Sequence, residues 1–331
     1  MKKVPISLII DDPAPVVSVY HDHSSSPVTK DGRPILEYVP NTLLDAFCDV
    51  AQRHGIRGKF SVVPMPGNRG DILSGLRGTD PADVAYWLNT VKRRLLPAFT
   101  VGPEMLTHNK AVDLSTGEAL PLMENQWAAT QTQETLTPYI AKALEILKNA
   151  GFDAFGVTSP WDFAIDVEED YVKAISQAVL QVTGKKNAWY FLHGLRNTPN
   201  AKPWVALDEE GRCVVSIPAT TNDAIWHSID TTDVSEDYVN QRADPLLTAD
   251  GKSGEILRVL ETGGWPILIT HWQSLMSNGL GTGIRILDTV CSRIEKHLSH
   301  RVEWMSFQQI LETVLSDKAA YPMPDFSADS E

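Results

Sequence analysis

Short apolar runs alternate with longer amphipathic stretches along nearly the whole of this 331-residue chain. The apolar runs, at residues 6–10, 59–63, 99–106, 152–157, 188–192, 265–270 and 302–305, have the length and bounding turn residues of buried strands. Between them, apolar side chains recur at helical spacing. Leu43, Leu44, Phe47, Val50 and Ala51 follow Asn41, and Ile140, Leu144 and Leu147 precede Gly151. Strands separated by helices pair in parallel through right-handed crossovers. About seven such units fit either a barrel or an open doubly wound sheet. No glycine-rich phosphate loop follows the first strand, which disfavours a nucleotide-binding sheet. The expectation is therefore an α/β fold, a distorted (β/α)7-type barrel with parallel strands. It is read as a single catalytic domain over residues 1–318, with an irregular insertion at about 197–253 and a loose tail over 319–331.

Composition narrows the function classes. A hydrophobic fraction of 43% supplies a sizeable core, and a net charge of -13 gives no electrostatic case for nucleic acid or an anionic membrane surface. Cys48, Cys213 and Cys291 are far apart and form no CxxC pair, so they read as small buried hydrophobes. The first apolar run is too short for a signal-peptide core and ends on two carboxylates. No stretch reaches the ~18 apolar residues that span a bilayer, so a cytoplasmic protein is expected. The partner expected is a carbohydrate or another small molecule, with no nucleic acid and no membrane; the oligomeric state stays open.

In a parallel α/β architecture the site lies at the carboxyl ends of the strands. Those ends read Asp11-Asp12-Pro13, Glu104 to Asn109, Thr158 to Asp162, and Thr270 to Ser274. Two adjacent carboxylates after an apolar strand are costly unless partners wait for them. Strand alternation would let one bind a metal while the other faces substrate. His108 and His271 end two further strands and can supply a neutral nitrogen to a metal or a proton to a leaving group. His21 and His23, in the loop after the first strand, could fold back over the rim. His193 and His227 could line the pocket. Trp161, Trp226 and Trp272 offer aromatic faces suited to a sugar ring.

These strand ends carry a resemblance to the polysaccharide deacetylase superfamily, spread along most of the chain in the right order but in short pieces. Ile9-Ile10-Asp11-Asp12 resembles the apolar strand that ends in the family's Asp pair. Phe60 to Val63 is similar to its second strand, and Glu104 to His108 to the strand with its first metal histidine. Ser159-Pro160-Trp161 resembles the later Arg-Pro-Pro-Tyr segment, and Ile267 to His271 the strand with its catalytic histidine. The resemblance implies Asp11 as general base, His271 as acid, and a divalent metal, zinc by preference, on Asp12 and His108. The family's second metal histidine is missing: Val112 stands there, beside Asp113, so the third ligand falls to His23, His21 or Asp113. The arginine that tunes the base is also missing, with Thr158 near its place.

The reading that follows is removal of an acyl group from an N- or O-acetylated carbohydrate by metal-activated water. Glu104, Asp113, Trp161 and Trp272 are expected to contact substrate. The alternatives are metal-independent hydrolysis of a small amide, known among members of the superfamily; a glycosidase using a pair such as Asp12 and Glu104; and a carbohydrate-binding barrel without chemistry.

Overall fold

A computed structural model describes residues 3–324 of the chain. Its centre is the first strand, β1 (Val4–Asp11), buried from its second residue onward. A strand covered on both faces needs an unbroken apolar run rather than an alternating one, which is what the sequence from Ile6 to Ile10 provides. Parallel to β1 on one side runs β2 (Gly58–Val62), followed by β3 (Phe99–Pro103). A second parallel sheet follows in chain order: β4 (Gly156–Thr158), β5 (Asn187–Phe191) and β6 (Arg212–Ser216). The other edge of β1 pairs with β7 (Ile267–His271), and the amino end of β1 pairs in parallel with β8 (Val302–Trp304).

The two sheets meet along two seams. At the first, Glu104 bridges Thr158 in parallel just beyond β3, and Met105 N donates to Thr158 O at 3.1 Å. At the second, Thr220 N donates to Ile267 O at 2.9 Å while Ile267 N donates to Thr220 Oγ1 at 2.9 Å. Each seam is a bridge or a pair of bonds, not a continued ladder. The architecture is thus an α/β fold with parallel strands in its central sheets, and the carboxyl ends of both sheets face one mouth.

The first seam is narrow because it is built on two glycines. A Cβ at Gly102 would approach Gly156 O and the Trp189 ring at 2.6 Å, and a Cβ at Gly156 would enter the Trp189 indole. Trp189, fully buried, fills the interior that these glycines vacate. The helices fall largely where the sequence places them. The helix Pro81–Thr90, for example, starts where Asp80 accepts the N–H of Ala82 at 2.8 Å. All three cysteines are buried. Among the described residues no helix is long and apolar enough to cross a membrane.

Two expectations need correction. The segment at about 197–253 is not an insertion, because β6 lies inside it, preceded by an antiparallel edge strand, Trp204–Glu209. The tail expected to be loose begins with a short helical turn, Lys318–Ala320. After it, Tyr321 accepts the N–H of Val205 at 2.9 Å and packs edge-on against Trp265. The part of that tail at residues 325–331 lies outside the described residues.

Forcing a methyl group into the Gly102–Gly156–Trp189 contact displaces a packed indole, which typically costs about 1–3 kcal/mol. Gly156→Ala should therefore lower the urea midpoint of unfolding, followed by far-ultraviolet circular dichroism, without changing the slope of the transition. An unchanged midpoint would show that the seam has slack.

Candidate active site

Register sets the geometry of the mouth. Asp11 and His271 are Cα partners across β1 and β7, so the last residues of both strands emerge side by side. Just beyond the strands the backbone takes left-handed conformations at Asp12 (φ 69°), Met105 (φ 28°), His108 (φ 50°), Trp161 (φ 48°) and Asp162 (φ 59°). Such conformations cost roughly 1–3 kcal/mol each in non-glycine residues, and here they gather at one end of the fold. The loop at His108 is held by Glu124. Its carboxylate accepts the N–H groups of Leu106 (3.0 Å), Thr107 (2.9 Å) and His108 (2.8 Å) and the hydroxyl of Tyr139 (2.6 Å).

Asp11 is engaged by a lysine. Lys59, fully buried inside β2, donates its ammonium protons to Asp11 Oδ1, to Ser61 Oγ at 2.7 Å and to Thr158 Oγ1 at 2.8 Å. All three of its donors are thereby used. Asp11 Oδ2 makes no such bond and borders the pocket.

Asp12, Glu104 and His108 form one buried group whose ligand atoms all lie within 4.8 Å of one another. Glu104 Oε2 accepts the backbone N–H of Asp12 at 2.6 Å, and Gln273 donates its amide to Asp12 Oδ2. Asp12 Oδ1 lies 2.7 Å from His108 Nε2 yet, although buried, meets no donor in hydrogen-bonding geometry. His108 Nδ1 is likewise buried and without an acceptor. Burial, the largest single influence, opposes charge on Asp12. The charge of His108 and its 2.7 Å contact, with the charge of His271 and the hydrogen bond of Glu104, together outweigh it and hold the carboxyl well below its usual range. Burial, followed by the charges of Asp11 and Asp12, pushes Glu104 well above its own. For His108, burial disfavours the imidazolium, but the charge of Asp12 raises the pKa to about 9.

His271 is oriented by Asp223, whose Oδ2 lies 2.8 Å from His271 Nδ1. The other Asp223 oxygen accepts the N–H groups of Ile225 (3.0 Å) and Trp226 (2.9 Å), so the carboxylate is fixed in place. Burial works against protonation of His271, but the Asp223 hydrogen bond, then the charges of Asp12, Asp223 and Asp11, carry its pKa to about 10. Asp11, Asp12, Glu104, His108, Asp223 and His271 border a pocket of about 820 Å³. Trp161 stands at its rim, 38% exposed, with its ring 4.3 Å from that of His108; Trp226, 37% exposed, lies 4.8 Å from that of His271.

The structure brings Asp11, Asp12, Glu104, His108, His271 and Trp161 to one place. Glu104, expected to touch substrate, instead completes the group with Asp12 and His108. His23 borders the same pocket, its ring 5.1 Å from that of His108, but stands outside that group; burial and then the charge of His108 lower its pKa to about 4. His21 faces Asp22 and Arg69. Asp113 is not a ligand, because it lies at a hairpin turn and spends its carboxylate on Ser115. Trp272 is no substrate platform: it is 2% exposed and packs edge-on against Phe47 and Phe60. Sequence reasoning missed Lys59, Asp223 and Gln273. Of these, Lys59 had a signal, being a charge inside an otherwise apolar strand.

The donor set of two carboxylates and an imidazole suits a divalent cation, and Asp12 Oδ1, buried among them without a hydrogen bond, fits that assignment. Asp12, Glu104 and His108 are the residues that could hold one.

The sequence matches no protein-family model and no curated protein. Solved structures do resemble the fold. A candidate polysaccharide deacetylase from Mycobacterium smegmatis aligns over 86% of this chain and 80% of its own, at 12% identity and a TM-score of 0.51. A candidate glycoside hydrolase/deacetylase from Parabacteroides distasonis aligns over 93% and 70%, at 11% identity and 0.49. An exo-type maltose-forming amylase from Pyrococcus sp. ST04 aligns over 97% and 50%, at 13% and 0.49. The first of these likenesses supports the polysaccharide deacetylase resemblance at the level of the fold.

Two measurements follow from the geometry. Lys59→Met leaves a buried carboxylate unpaired and should cost about 3–5 kcal/mol, part of it recovered in Lys59→Met/Asp11→Asn; additive losses in urea unfolding would deny the coupling. His271 should titrate by NMR near pH 10 in metal-free protein and fall toward its ordinary value in Asp223→Asn. Because its folded pKa is the higher one, the stability it contributes is complete below about pH 6.5 and lost as pH rises through about 10.

Proposed function

We propose that this chain is a deacetylase-type hydrolase built on a distorted seven-stranded β/α barrel, removing an acyl group from an N- or O-acetylated carbohydrate. The observation that carries the reading is the convergence on one pocket of three differently prepared groups: Asp11 against Lys59, the Asp12–Glu104–His108 group, and His271 against Asp223. A divalent cation on Asp12, Glu104 and His108 would polarise the acyl oxygen and acidify water.

The chain's own residues supply the rest. Lys59 fixes one oxygen of Asp11, leaving the other to take a proton from the attacking water. His271, held protonated through neutral pH, hands its proton to the departing nitrogen or oxygen, and Asp223 keeps the imidazole in the tautomer and direction that this requires. Trp161 and Trp226 offer two exposed aromatic faces at the rim for a sugar ring. A glycosidase pair of Asp12 and Glu104 fits less well, because Glu104 accepts the Asp12 N–H and both carboxylates sit on the same side of His108. One contact favours a metal-free variant of the same hydrolysis: protonated His108, 2.7 Å from Asp12 Oδ1, can balance the buried carboxylate by itself.

The test joins metal content with acetate release from acetylated glucosamine oligomers and acetylated xylan. Protein purified without chelator should carry near-stoichiometric divalent metal that is lost in Asp12→Asn and His108→Ala. Asp11→Asn should keep the metal and lose roughly 10²–10⁴-fold in kcat. Turnover that survives complete chelation would transfer the reading to the metal-free route. Metal without turnover on any acylated substrate would remove the hydrolase.

A further inference from the structure

The pocket has a wall that the catalytic groups do not use. It is formed after β6 by Trp226, His227 and the helix Glu236–Ala243, together with Arg196 from the loop that follows β5. Two guanidinium groups border the pocket on this wall. Arg242 lies with its guanidinium carbon 5.4 Å from the centre of the Tyr238 ring, a placement that positions the cation while taking none of its N–H donors. Its Nε is buried and has no hydrogen-bond partner. Arg196 is exposed; its carbonyl accepts a bond from Arg258 at 3.0 Å, while its guanidinium makes no hydrogen bond or ion pair to the described residues.

The acids nearby are already spent. Asp223 serves His271 and two backbone N–H groups, and Glu255 accepts the backbone and side-chain N–H groups of Asn222 at 2.6 and 2.7 Å. Among the described residues that border the pocket, the one carboxylate without a hydrogen bond or ion pair is Asp162, beside Trp161 and not on this wall. Elsewhere in the chain, buried guanidinium groups are engaged: Arg69 and Arg293 bind carboxylates. A buried donor left without a partner calls for an explanation, and a stacked guanidinium with free N–H groups has the geometry that recognises carboxylate or phosphate.

We propose that Arg242 and Arg196 bind an anionic group, carboxylate or phosphate, on the molecule that enters this pocket, so that the substrate is an acidic rather than a neutral one. The inference rests on reading the pocket as the substrate site. It depends on neither the metal nor the bond that is cleaved.

The experiment measures equilibrium binding to the full chain by calorimetry, using matched ligands that separate charge from acylation. The set is glucose, glucose 6-phosphate, glucuronate, N-acetylglucosamine, N-acetylglucosamine 6-phosphate and N-acetylmuramate. Each anionic member should bind about tenfold or more tightly than its neutral partner, and the advantage should shrink as salt is raised. Whether the phosphates or the carboxylates gain more identifies the anion. Arg242→Gln and Arg196→Gln should abolish the advantage, Arg242→Lys should keep part of it, and Arg93→Gln, at an exposed position away from the pocket, should keep all of it. Equal affinity of charged and neutral partners, or binding of none of them at millimolar concentration, overturns the proposal. Anionic ligands preferred with or without the acetamido group would uphold the anion site and count against the deacetylase. Acetamido ligands preferred regardless of charge would do the reverse.

Discussion

The buried ammonium of Lys59 ties together the parts of this protein that must not move apart. It reaches from β2 to Asp11 at the end of β1 and across the interior to Thr158 at the end of β4, which belongs to the other sheet. An isolated ion in that position would be prohibitively costly, so the lysine is tolerable only where all its protons are accepted. The same bonds fix the spacing between the sheets at the mouth and prepare Asp11 electrostatically. Here the resemblance to the polysaccharide deacetylases departs in a way that the structure explains. Thr158 stands near the place of the family's arginine, and the cation beside the Asp is delivered from a different strand.

Around this centre the charges are arranged in pairs with separate duties. Asp12 and Glu104 face His108, and Asp223 faces His271 from outside the strand ends. Both histidines are raised against the effect of burial, His108 chiefly by Asp12 and His271 by the Asp223 hydrogen bond together with the charges of Asp12, Asp223 and Asp11. Two imidazoles at the same mouth can therefore take different roles, because one is shared among acids that can hold a cation and the other is directed by an acid fully occupied in orienting it. Gln273, which ties Asp12 Oδ2, links the two halves, since it follows His271 by two positions.

Much of this was readable from the residues, and the parts that were not share a cause. Strands β1, β5 and β7 announced themselves because burial on both faces demands consecutive apolar residues, and the strand-end residues Asp11, Asp12 and His271 followed from them. The apolar run Cys213 to Ile217 stood out, but β6 was folded into an irregular region because it is reached through an antiparallel hairpin instead of a helix, so the alternation that marks a crossover is missing between Trp204 and Ser216. Asp223, a few residues beyond β6, was lost with it. Glu104 was seen but assigned to substrate, because sequence spacing cannot tell which way a side chain turns at a strand end where the backbone leaves the extended region. Trp272 follows the same logic in reverse: one residue past His271, the chain has begun the helix Trp272–Met276 and points the indole into the core.

The partners of β1 carry a consequence for how the molecule comes into being. One edge of this strand is covered early at residues 8–10, by residues 58–60, but the other edge waits for β7 and the amino end waits for β8, both in the last fifth of the sequence. A ribosome therefore releases the most apolar strand of the protein long before its second neighbour exists. Through that interval the strand presents unpaired N–H and C=O groups beside Ile6, Leu8, Ile9 and Ile10, the kind of edge that recruits foreign strands. The mouth shares that delay, because Asp11 and His271 meet only when the pairing with β7 closes.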